Sequence, residues 1–102
     1  MRIIVFFDLP VVKKKERKVY AKFRRFLLND GYDMIQYSVY SRLCNGIDMT
    51  NKHIKRLSSS LPGKGSVRCL TVTEKQYGEM KFLVGNPTVK EKKVKTEQLS
   101  LF

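Results

Sequence analysis

Asp8 closes an unbroken apolar run, Ile3 to Phe7, in the opening stretch MRIIVFFDLP. A run of that kind reads as a strand buried on both faces. Its terminal carboxylate is then either the chain leaving the core or a group placed at the strand's carboxyl end, where open sheets receive ligands. A placed carboxylate suits Mg2+, which takes one or two carboxylates and completes its shell with water and phosphate oxygens. One Asp per chain is a poor site, but a two-fold axis could bring two copies together. The second set of chemical groups is cationic: Lys13, Lys14, Arg17, Lys18, Lys22, Arg24 and Arg25. Ammonium groups neutralise phosphates as point charges, and guanidinium groups fork onto phosphate oxygens. Residues 13–30 hold eight basic and two acidic side chains, so this one segment carries +6 of the chain's +12. Solvated faces normally mix signs; this one does not, which favours contact with a polyanion. Such contacts position a protein on nucleic acid without reading its sequence.

Other chemistries find little support. The single histidine, His53, falls on the polar side of the second helical segment with no Ser/Asp partner pattern, and reads as a surface residue. Cys44 and Cys69 have neither metal-site spacing nor the density of a disulfide scaffold, and read as small apolar residues in a reducing compartment. No phosphate-cradling glycine loop and no zinc-protease motif occurs. The N-terminal apolar run is too short for a signal peptide and no stretch is long enough to span a membrane, so a cytoplasmic protein without membrane contact is expected. With 102 residues and 42% hydrophobic content, the chain supports one modest core.

The elements that must position these groups follow from periodicity. Arg2–Phe7 is the first strand, broken by Leu9-Pro10. Residues 13–30 form a helix with Val19, Tyr20, Phe23, Phe26 and Leu27 on one stripe and the cations on the other. Glu16 suits the first turn, and Asn29-Asp30-Gly31 supplies the stop. Tyr32 to Leu43 is extended and long enough to be two short strands with an irregularity near Gln36. Asn45-Gly46 marks a turn, and Asp48 caps a second helix reaching about Leu61, with Ile47, Ile54 and Leu57 recurring on one side. Ser66–Thr73 and Glu79–Val84 read as a last strand pair joined through Glu74–Gly78. The order predicts an α+β, ferredoxin-like sandwich over residues 1–87: an antiparallel sheet with two helices on one face. Residues 88–102 form a basic, then apolar, C-terminal tail or extra strand. Leu99, Leu101 and Phe102 could add to a partner's sheet edge.

The strand ending in Phe7-Asp8, the helix behind it and the string Gln36-Tyr37-Ser38-Val39-Tyr40 resemble the small CRISPR-associated protein of spacer acquisition, catalogued as an endoribonuclease. The resemblance covers about residues 1–85, and Phe-Asp-Leu-Pro looks closest to members from type II systems. It implies a homodimer that bridges two CRISPR integrase dimers and holds double-stranded DNA along a basic surface. It also implies that Asp8 is a metal-associated aspartate near the dimer axis, catalytic in members that act as Mg2+-dependent nucleases. Many relatives carry further acids or Ser after that aspartate; here Leu9-Pro10-Val11-Val12 follows. Two alternatives stand beside the scaffold: a Mg2+-dependent endonuclease on RNA or DNA, and an unrelated RNA-binding module of similar fold. The last would need a basic-glycine-aromatic string, which YGEMKFLV lacks.

Overall fold

The computed structural model describes residues 1–91 of the chain. Strand β1 (Arg2–Asp8) is followed by helix α1 (Lys14–Asn29), a hairpin of β2 (Asp33–Gln36) and β3 (Val39–Leu43), helix α2 (Gly46–Ser58), strand β4 (Ser66–Val72) and a short helix α3 (Glu74–Gly78). The sheet order is β2-β3-β1-β4, antiparallel throughout. This is the ferredoxin-like arrangement, in which each long helix crosses over one intervening strand.

Alternation along β1 separates the two faces. Ile3, Val5 and Phe7 are buried against Phe23 and Leu27 of α1, Leu57 of α2 and Tyr40 of β3. Phe7 anchors this cluster, edge-on to Phe23 at 5.2 Å and stacked on Tyr40 at 5.6 Å between ring centroids. The stripe on α1 forms as its spacing requires: Phe23 and Leu27 are buried, Tyr20 and Phe26 lie against the core, and Val19 sits at its exposed rim. The helix stops where the sequence places its stop. Asp30 is the C-cap, and Gly31 follows at φ 90°, a conformation L side chains rarely adopt.

The long extended stretch divides at Tyr37-Ser38, with a register shift between Met34 and Gln36. Ser38 takes a left-handed φ of 61°, and its carbonyl accepts a hydrogen bond from the Phe7 N–H at 3.0 Å. Helix α2 begins earlier than Asp48, with Asn45 as its N-cap, and ends at Ser58, leaving Leu61 half-exposed beyond it. Ile47 is exposed too, so the buried stripe on α2 is Thr50, His53 and Leu57.

The second strand of the expected terminal pair does not form. Thr73 caps α3 in place of the expected turn: its hydroxyl accepts from Gln76 N–H, and the Gln76 side chain accepts from Thr73 N–H. Glu79–Val84 then has no strand partner among the described residues, and Leu83 and Val84 are more than 90% exposed. Apolar composition imitates a strand there, but no described strand supplies its ladder. Helix α3 packs instead over the Arg2 end of the sheet's open face. Arg2 pairs with both Glu74 carboxylate oxygens, at 2.8 and 3.1 Å, and its guanidinium lies 4.3 Å above the Tyr77 ring. Burial raises the Tyr77 hydroxyl to about 12, and that hydroxyl donates to Glu91 at 2.8 Å.

Candidate functional site

Asp8 lies at the far end of β1 from α3, exposed, on the open face of the sheet opposite Ser66. A shallow hollow surrounds it, lined by Phe6, Phe7, Tyr37, Ser38, Val39, Ser66 and Arg68. Two backbone devices fix its floor. The Ser38 carbonyl holds the Phe7 N–H, so the hairpin tip is tied to the residue before Asp8. On the other side Gly65 enters β4 at φ 90°, so close that a Cβ there would stand 2.6 Å from the Asp8 carbonyl oxygen. Only a residue without a side chain lets the two segments meet.

This hollow contains one carboxylate and one cationic side chain, Arg68. Among the described residues no group of three or more His, Cys, Asp or Glu side chains could hold a metal ion. One protomer therefore supplies a half-site at most: a single hard oxygen donor with hydroxyl neighbours. Mg2+ fits the donor type, and the number of donors only if a second Asp8 is brought in.

The seven cations singled out above, Lys13 at the N-cap and six within α1, are each exposed, as is Lys15 beside them. None of the ion pairs formed among the described residues uses any of them. They are not equivalent. Arg17 donates to the carbonyls of Val11 and Val12, at 3.3 and 2.6 Å, which pins the chain entering α1. Arg24 donates through Nε to the Tyr40 hydroxyl at 2.9 Å while the residue as a whole stays exposed. Lys13 is the N-cap, its N–H donating to Glu16 at 2.8 Å. Lys14, Lys18, Lys22 and Arg25 present free ammonium or guanidinium heads. Leu99, Leu101 and Phe102 lie outside the described residues.

His53 corrects the sequence expectation. It is buried, not on the surface, with Nδ1 2.9 Å from Oδ2 of Asp30, while Arg56 reaches Oδ1 of the same carboxylate at 2.9 Å. An ionised Asp30 only accepts, so His53 Nδ1 carries the proton. Arg42 donates to the Asp30 backbone carbonyl. Asp30 thus welds the end of α1 to α2, a structural role. The available signal was electrostatic: an acid at a helix C-terminus opposes the dipole and needs cations close by. Cys44 is buried as expected, whereas Cys69 is exposed on the edge strand.

Sequence reasoning also passed over Tyr37. Its ring stacks on Tyr20 of α1, with centroids 6.3 Å apart and planes 20° from parallel, yet it is 74% exposed. The Tyr20 hydroxyl, hydrogen-bonded to it, raises Tyr37 above the ordinary phenol value.

Comparison with known proteins gives a consistent result. Residues 1–80 match the family model described as CRISPR associated protein Cas2. A protein of Acidovorax ebreus named CRISPR-associated endoribonuclease Cas2 is 63% identical over 102 residues, covering all of both chains. Proteins of the same name from Parvibaculum lavamentivorans and Campylobacter jejuni are 46% and 41% identical; each match covers all of this chain, with 100% and 71% of the respective relatives.

Proposed function

The chain belongs to the Cas2 family of CRISPR-associated proteins, and on that footing we propose that it is a homodimeric scaffold of spacer acquisition. It bridges integrase dimers and holds protospacer duplex DNA in antiviral defence. The observation that carries the proposal is the unpaired cationic side of α1, where seven exposed Lys and Arg side chains form no ion pair among the described residues. Cations left unneutralised by the fold are available to phosphates, and displacing condensed counterions then drives binding.

Dimerisation is supported by the open face of the sheet. Phe6 and Leu70 stand there 38% and 53% exposed, Phe6 on the same row as Asp8 and Leu70 opposite Ile4. Two such faces packed about a two-fold axis would bury them and bring the two Asp8 carboxylates towards each other. The outer edge of β4 has no strand partner among the described residues. It offers a place for the 88–102 tail of a second copy, through Leu99, Leu101 and Phe102, or for an integrase segment.

The test is duplex affinity measured against salt. Steep weakening from 50 to 200 mM salt is expected, with a shallower slope when Lys14, Lys18, Lys22 and Arg25 are changed to Gln. An affinity indifferent to both would end the proposal.

A second reading, metal-dependent cleavage of phosphodiesters, is favoured by the exposed carboxylate in its hollow and by the relatives' names. Asp8 from each protomer would hold Mg2+, which when bound supplies charge stabilisation at phosphate and a more acidic water. Asp8→Asn keeps the shape and removes the charge. Nuclease activity that survives this change, or that persists in chelator, excludes the reading.

A further inference from the structure

We propose that Tyr37, backed by Tyr20, is a stacking platform for an unpaired nucleobase, set beside the phosphate-binding side of α1. The inference rests on the nucleic-acid reading above and names what this corner of the surface would take.

The geometry is unusual for a hairpin tip. Tyr37 is 74% exposed, although an aromatic ring in a two-residue turn could fold back over the sheet. It is held outward from both sides. The ring runs nearly parallel to Tyr20, offset with centroids 6.3 Å apart, and Tyr20 itself packs tilted on Phe7 at 5.8 Å between centroids. Below it the left-handed Ser38 fixes the turn through its bond to Phe7. The result is a largely exposed ring that continues the aromatic series Phe7–Tyr20–Tyr37 from the core to the solvent.

The charges around it have the matching arrangement. Arg17 and Arg24 flank Tyr20 at i−3 and i+4, so they lie on the same strip of α1 that supports the ring. Both are already oriented, Arg17 by Val11 and Val12 and Arg24 by Tyr40. Arg68, the cross-strand partner of Phe6, lines the same hollow as Tyr37. An aromatic face between guanidinium groups is the pattern that binds single-stranded nucleic acid: the base stacks and its neighbouring phosphates are neutralised. A base inside a duplex is covered by its neighbours, so an exposed ring can receive only an unpaired one. Tyr20 belongs to α1, whereas Tyr37 also lines the hollow that holds Phe6 and Asp8, so the platform sits at the rim where the helix side meets the open face of the sheet.

The experiment uses two DNA probes with the full-length protein: a blunt duplex, and the same duplex with a single-stranded overhang carrying 2-aminopurine. Wild type and Tyr37→Phe are expected to quench the overhang fluorescence on binding. Tyr37→Ala and Tyr37→Leu are expected to lose the quench and to bind the overhang probe about 5- to 100-fold more weakly, the effect of one base–aromatic stack. Binding of the blunt duplex should be unchanged in all four. Retained quenching in Tyr37→Ala, or an equal loss on both probes, overturns the platform while leaving duplex binding intact. Failure of wild type to bind either probe overturns the nucleic-acid reading itself and this inference with it.

Discussion

The two rows of side chains on β1 share one backbone and lead opposite lives. Ile3, Val5 and Phe7 face the helices and are at most 6% exposed, each surrounded by apolar partners. Arg2, Ile4, Phe6 and Asp8 face the other way, where only the Arg2 end is roofed by α3. One row is finished within a single chain; the other runs from an ion-paired, covered arginine to a bare carboxylate. The difference teaches where to look for function, because a covered row is accounted for by packing whereas an uncovered one awaits something else.

The contrast breaks most visibly at the adjacent pair Phe7 and Phe6. Phe7→Ala should cost about 3–5 kcal/mol in denaturant unfolding, since it empties the centre of the aromatic cluster. Phe6→Ala should cost under about 1 kcal/mol in that assay, because the ring is already partly solvated, and its effect should appear in the oligomeric state. Equal losses would erase the distinction between the rows. Next in size is Asp30→Ala, which strips the buried carboxylate from His53 and Arg56 and should cost about 3 kcal/mol by the same measurement. A neutral outcome would mean that the helix layer is held by apolar contact alone.

Gly65→Ala should cost about 2 kcal/mol, through a strained φ and a clash with the Asp8 carbonyl. Amide exchange at Leu9 and Ser66 should rise in this variant while that of Ile3 and Ile4 stays low. The smallest effect belongs to the roofed end. Burial raises the Tyr77 hydroxyl from 10.0 to about 12, so below pH 10 its contribution to stability is fully present. Between pH 10 and 12 the unfolded chain gives up that proton first, and the contribution is lost. Tyr77→Phe should therefore flatten alkaline destabilisation in that window; an unaltered profile would place the hydroxyl in open solvent.

Much of this architecture was legible because it is periodic. The β1 run, the stripe on α1, the stop at Asn29-Asp30-Gly31 and the break near Gln36 all follow from local rules that tertiary contacts reinforce. The failures share a cause, in that each depends on a partner distant in sequence. Glu79–Val84 has strand composition without a neighbour to pair with among the described residues. His53 looks polar on a helical wheel until Asp30, 23 positions earlier, is brought beneath it. Of the candidate site, Asp8 at the strand end and the cations of α1 could be read from residue type and spacing. Tyr37 could not, since its exposure and its support by Tyr20 arise only when hairpin and helix meet.

The bare rim of β4 has one more consequence. Along Ser66 to Val72 the outward N–H and C=O groups meet no strand among the described residues, and such an edge will template whatever extended peptide drifts alongside, whether kin or stranger. A bacterium making this protein without its proper companions should find it sticky, and coexpressing something that zips onto that border is the first remedy to try at the bench.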